Sequence, residues 1–189
     1  MESVGFKEWA LICEALGRGE QSILLRKGGI AEGRAGFSFR HAEFFLFPTF
    51  FHEQVAKVRG KERVLPKQRL GEIEIRYWAK VERSAVITSW ETARALEPFH
   101  ILEPDVVRER FEYDEAPGIH VALVRAFRLS RPWIFPELAR YGGCRSWVDL
   151  PPLSGEITLE PVLSDAEHQQ RLADFSALLG DEVAAARTS

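Results

Sequence analysis

Between Glu72 and Thr88 the chain alternates over a length that few local structures tolerate. Ile73, Ile75, Tyr77, Ala79 and Val81 share one parity, while Glu72, Glu74, Arg76 and Lys80 share the other. Successive side chains of a strand point to opposite faces, so this pattern predicts a long strand with one face buried and one in water. The remaining apolar runs are read around it.

Upstream, the run Trp9 to Leu16 is followed by the turn chemistry of Gly17-Arg18-Gly19-Glu20 and by the compact apolar run Ser22 to Arg26. Two short apolar runs joined by such a turn predict an N-terminal β-hairpin. Phe44 to Phe47 reads as a buried strand, with a helix expected from Pro48 and Thr49 to Val58, because proline is tolerated in a first helical turn. Gly60 to Gly71 reads as an exposed loop; Lys57, Arg59, Lys61, Arg63, Lys67 and Arg69 make this the most basic part of the chain.

Downstream, Ser89 suits the cap of a short helix to Leu96, and a second short helix ends at Phe111, with proline and acid at its start and arginines at its end. Ile119 to Leu129 reads as a central strand, Cys144 to Leu150 as a short one and Gly155 to Val162 as an edge. Ser164-Asp165-Ala166-Glu167 is a capping box for a helix to about Leu179, closed by Gly180. Strands and short helices without a regular βαβ rhythm argue for an α+β fold: a mixed, mostly antiparallel sheet opened by the N-terminal hairpin, with short helices and a C-terminal helix. The expected organisation is a main domain over 1–153, a C-terminal strand and helix packed on it over 154–180, and a tail over 181–189.

Composition narrows the function classes. A net charge of -3 gives no global attraction to nucleic acid or anionic membrane, so any such affinity requires a local patch. The N-terminus carries Glu2, Lys7 and Glu8 instead of a signal-peptide core, and no apolar run spans a bilayer. Cys13 and Cys144 lack a CxxC spacing, which fits a reduced, cytoplasmic chain without a membrane partner.

Three sets of residues carry chemistry. Arg26, Lys27, Gly28 and Gly29 at a strand end, with Arg125, Arg128 and Arg145 near turns, suit guanidinium and amide contacts to phosphate. Tyr141 and Trp147 offer planar faces for bases, and solvated arginines beside core aromatics explain the same pattern. His41, Glu43, His52 and Glu53 cluster in sequence as acid/base or metal-ligating groups, yet match no HExxH spacing, so no metal is assigned. No GxSxG elbow, P-loop or GxGxxG is present. Three readings stay open: a nucleic-acid-associated module partnered by DNA or RNA, a hydrolase of a phosphate-containing substrate, and a protein-interaction scaffold. Cofactor and oligomeric state are left unassigned.

Lys7-Glu-Trp-Ala, Ala15-Leu-Gly-Arg-Gly-Glu-Gln, Leu24-Leu-Arg-Lys-Gly-Gly-Ile, Phe45-Leu-Phe-Pro-Thr, His52-Glu-Gln and Tyr141-Gly-Gly-Cys-Arg-Ser-Trp together resemble the bacterial domain-of-unknown-function family 1802, to about Leu153. Members of that family are sometimes associated with an Mrr-type restriction-endonuclease domain. The resemblance therefore implies a companion role beside DNA restriction.

Overall fold

The computed structural model describes residues 2–27, 37–60, 63–153 and 155–180. Two long strands form its backbone: β4 (Glu72–Ile87) and β5 (Ile119–Pro136), antiparallel from Glu72 opposite Pro136 to Ile87 opposite Ile119. In chain order the others are β1 (Val4–Trp9), β2 (Ile23–Arg26), β3 (Glu43–Thr49), β6 (Trp147–Asp149) and β7 (Leu159–Pro161). They build one seven-stranded sheet in the order β2-β5-β4-β3-β1-β6, with β7 also on β5. β1 and β3 pair in parallel, and the remaining described pairings are antiparallel. The helices are α1 (Ala10–Gly17), α2 (Trp90–Ala95), α3 (Pro104–Phe111) and α4 (Asp165–Leu179). This is the expected α+β class, and among the described residues no helix is long and apolar enough to cross a membrane.

Alternation along β3 divides the interior. Phe44 and Leu46 join the larger cluster with Phe6, Leu24 and Leu123, while Phe45 and Phe47 face a second cluster with Trp78, Trp133 and Tyr141. Both faces of this strand are therefore buried, which explains its nearly continuous apolar composition. Register shifts between Ile75 and Tyr77 and between Val81 and Arg83 interrupt the β4–β5 ladder. Such irregularities bend and twist a sheet. The ends of this one approach each other: Arg26, closing β2, donates from Nη2 to the Lys7 carbonyl of β1, although β5, β4 and β3 lie between those strands in the sheet.

The expected N-terminal hairpin is replaced by strand, helix and strand. β1 takes Val4–Trp9, the run after Trp9 is α1 with every residue but Glu14 buried, and β2 pairs with β5. An eight-residue segment with a single polar, half-buried residue shows too little of a polar face to reveal its period, so helix and strand have the same apolar signature. The helix expected from Pro48 also starts later: Pro48 and Thr49 continue β3 opposite Glu8 and Trp9, and a 3-10 segment covers His52–Lys57. The α2 cap by Ser89 and the full Ser164–Glu167 capping box form as expected.

Gly17 ends α1 directly beneath Tyr77; a Cβ there would stand 2.1 Å from the ring. Overpacking costs about 1–3 kcal/mol, so Gly17→Ala should lower the urea midpoint correspondingly without changing the m-value. An unchanged midpoint would show that the ring yields freely. His100 provides a second check. Its Nδ1 accepts from Leu102 N at 3.1 Å, and burial, then Arg59 and Arg110, push its pKa down to about 3. The folded state thus binds fewer protons than the unfolded state between the ordinary value of 6.5 and about 3, so stability falls as pH drops through this window. His100→Gln should flatten that part of the acid-unfolding curve, measured by circular dichroism.

Candidate functional site

The closing seam of the sheet gathers charge that would ordinarily lie in water. Lys7, 8% exposed, donates from Nζ to Gly143 O at 2.9 Å. Burial lowers its pKa, with Cys144 opposing and Arg145 and Arg26 adding to the shift. From α3, Arg110 donates to Leu25 O at 2.6 Å and sets its guanidinium 4.7 Å from the Trp9 ring centroid. Burial pushes the Arg110 pKa down to about 10, against the favourable field of Glu8 and with the repulsion of Arg26. Arg26 itself lies 4.7 Å over the ring of Phe6.

Glu8 is the buried carboxylate among these cations, 1% exposed, while the exposed Glu109 also favours the charged form of Arg110. It shares the inward parity of Val4 and Phe6 on β1, so strand geometry carries a charge into the core face. Oε1 accepts from Trp9 N at 2.8 Å; Oε2 is buried with no hydrogen-bond partner among the described residues. Arg26 Nε is in the same condition. A buried polar group left without any partner costs about 1–3 kcal/mol. Below the seam, fully buried Gln54 accepts from Leu11 N at 3.0 Å and donates to Thr49 O and Phe51 O. These bonds fix the segment that brings Phe51 edge-on to Trp9, with centroids 5.2 Å apart.

Several residues expected from sequence meet here. Arg145 is exposed and its charge acts on Lys7. Lys27 holds Nζ 3.4 Å from the ring centroid of Tyr113, which is 47% exposed. Trp147 packs against Phe6 and, on another side, against His41, each at 4.8 Å between centroids, so Arg26, Phe6, Trp147 and His41 form one continuous contact series. His41 Nδ1 also lies 3.1 Å from Glu2 Oε2. Gly28 and Gly29 lie outside the described residues.

Others stand apart. Arg125 pairs with Asp165, and Arg128 donates to Gly17 O at 3.0 Å. Counted from His120, the residue opposite Arg26, they are about 17 Å and about 26 Å along β5 at the usual rise per residue. Tyr141 is buried in the second cluster, against Phe47 and Phe135, with its hydroxyl accepting from Arg140 at 3.0 Å. Glu43 sits opposite Lys80, and His52 and Glu53 are exposed at the start of the 3-10 segment. The full length of β3, about 23 Å, separates the His41–Glu43 pair from His52–Glu53. They therefore do not form one acid/base cluster. Among the described residues no group of three His, Cys, Asp or Glu is placed to hold a metal ion.

Sequence reading missed Lys7, Glu8, Trp9 and Arg110 as site residues. The available signal was Glu8 itself, at the parity of Val4 and Phe6, once a strand is assigned to Val4–Trp9. The sequence model of a domain of unknown function, DUF1802, matches residues 5–174. The chain belongs to the DUF1802 family. All seam residues of this DUF1802 chain fall within the matched span. No curated protein matches the sequence. Among solved structures, ASCH from Zymomonas mobilis aligns at 13% identity and a TM-score of 0.45, covering 90% of this chain and 93% of its own. Two single-residue mutants of that protein align at 13% and 14% identity with TM-scores of 0.47 and 0.46, covering 90% and 92% of this chain and 94% and 98% of theirs.

The two cysteines of the DUF1802 chain should report the seam's closure. Cys13 is buried behind Glu8, and burial raises its pKa well above the ordinary value, whereas Cys144 is exposed. A thiol reagent at pH 8 should label one cysteine at once and the second only at the rate of opening. Equal rates for both would mean that the seam opens freely.

Proposed function

We propose that this DUF1802 domain is a nucleic-acid-associated binding module whose contact surface is the seam between β1 and the end of β2. One observation carries the reading: the charges of Arg26 and Arg145 act on Lys7, and those of Arg26 and the buried Glu8 act on Arg110, so four cations are linked at one seam in a chain whose net charge is -3. Positive charge held partly out of water projects a stronger field than the same charge spread over a surface. Arg26, Lys27 and Arg145 are the groups suited to phosphate oxygens, since guanidinium forks and ammonium groups form short charge-assisted bonds with them. Buried Lys7 and Arg110 act through the field, and Trp147 and His41 support the seam from behind. The role beside DNA restriction suggested by the family resemblance makes double-stranded DNA the first ligand to try.

The test is binding of labelled single- and double-stranded DNA and RNA at two salt concentrations, for the native protein and an Arg26→Ala, Lys27→Ala variant. Phosphate contacts release counterions, so native affinity should fall steeply with salt, and the variant should bind more weakly with a salt slope smaller by about 2. Absence of binding by the native protein at low salt would sink the proposal. Binding unchanged in the folded variant would move the surface elsewhere on the domain.

A further inference from the structure

Away from the seam, three buried polar atoms from separate parts of the chain share one condition. Ser22 Oγ, just before β2, Arg125 Nε on β5 and His168 Nε2 in the first turn of α4 are each inaccessible and have no hydrogen-bond partner among the described residues. All three residues line the same small cavity of about 10 Å³, with Leu16, Val162 and Leu163 among its apolar walls. Ser22 and His168 are each 3% exposed. Gln21, also at the cavity, is already committed, donating to Ile23 O at 2.8 Å and accepting from Ile101 N at 3.1 Å.

We propose that Ser22, Arg125 and His168 form a closed binding site for one structural water molecule that joins the first turn of α4 to the sheet. Size and bonding capacity support this choice. A cavity of this volume admits about one water, and buried waters typically make about three hydrogen bonds to groups that lack other partners. Arg125 Nε can only donate, so the occupant must accept. Ser22 can donate or accept, and His168 can do either according to its tautomer. Water meets either tautomer: it accepts from Arg125, donates to Ser22, and either donates to an unprotonated His168 Nε2 or accepts from its N–H. The charges around His168 balance: Arg125 and Lys80 against Asp165 and Glu82, with Arg125 bonded to Asp165 and Lys80 3.7 Å from Glu82. Burial first, then Arg125, lowers the His168 pKa, which keeps the imidazole neutral at pH 7. A halide would find one guanidinium already answered by a carboxylate and no net positive field, so water is the favoured occupant.

The site has a mechanical consequence. Ser22 also closes backbone bonds on both sides, from Ser22 N to Phe99 O at 2.9 Å and from Val124 N to Ser22 O at 2.9 Å. One water there would link the β2 entry, the centre of β5 and α4, segments remote in sequence. Ser22 and His168 line one cavity without a hydrogen bond between Ser22 Oγ and His168 Nε2, so coupling between them runs through that shared space.

The experiment combines a double-mutant cycle with crystallography. Ser22→Ala and His168→Phe are made singly and together, and stability is read from urea midpoints of the full chain. The water site predicts that the double variant loses clearly less than the sum of the single losses, because both substitutions release the same molecule. Additive losses would overturn the proposal. Crystals of the native protein grown with sodium bromide provide the second measurement. A density peak within hydrogen-bonding distance of all three atoms, with no anomalous bromide signal, is expected. Bromide at that position would replace the water assignment with an anion site, and no peak at all would reject both; either result overturns the proposal.

Discussion

The ladder between β4 and β5 sets the frame on which everything else depends. Sixteen residues of one strand and eighteen of the other run antiparallel, and every other strand is attached to this pair directly or through β3. Ladder hydrogen bonds alone would extend a sheet without closing it. Closure needs twist and bending, and the two register shifts occur along this ladder. The curl lets Phe6 of β1 and Arg26 of β2 meet across a sheet that keeps three strands between theirs.

That closure concentrates polarity. Lys7, Glu8 and Arg110 are pulled into the seam by a strand and a helix whose other buried residues are apolar, so their burial is a by-product of where β1 and α3 must pack. Removing charge from water is costly, and the arrangement survives because each cation has a backbone carbonyl: Gly143 for Lys7, Leu25 for Arg110 and Lys7 for Arg26. Carbonyl oxygens offset desolvation without neutralising charge. The seam consequently stays positive, unlike the surface network in which Arg18, Arg63, Arg69 and Arg76 are matched by Glu14, Glu20 and Glu74.

The C-terminal elements join the same body by different means. β7 adds to β5 at Phe127 to Leu129, and α4 buries Phe175 against Phe99 with centroids 5.8 Å apart. Polar anchors of α4 lie at its first turn, where Asp165 meets Arg125 and His168 enters the cavity beside Ser22, and at Arg171, which donates to Pro98 O at 3.3 Å. Apolar contact and the Arg171 bond thus hold the middle of the helix, while directional bonds fix its start.

Local patterns were legible wherever one face meets water. The alternation from Glu72, the Ser89 cap, the proline-led α3 and the Ser164–Glu167 capping box are written in neighbouring residues, because their physics involves positions two to four apart. Trp9 to Leu16 was illegible for the opposite reason: buried except in part at Trp9 and Glu14, it has too little polar face to mark a period. Arg26 and Lys27 stood out as a basic pair at a strand end, and Arg145 as a basic group near a turn. Their convergence with Lys7 and Arg110 was hidden, because sequence spacing carries no record of how far a sheet curls. The amino-acid sequence by itself determined the class of fold, the Ser89 and Ser164 helix caps and the long strand β4. Only the tertiary structure decided which cations share a site, since that depends on closure between strands that never pair.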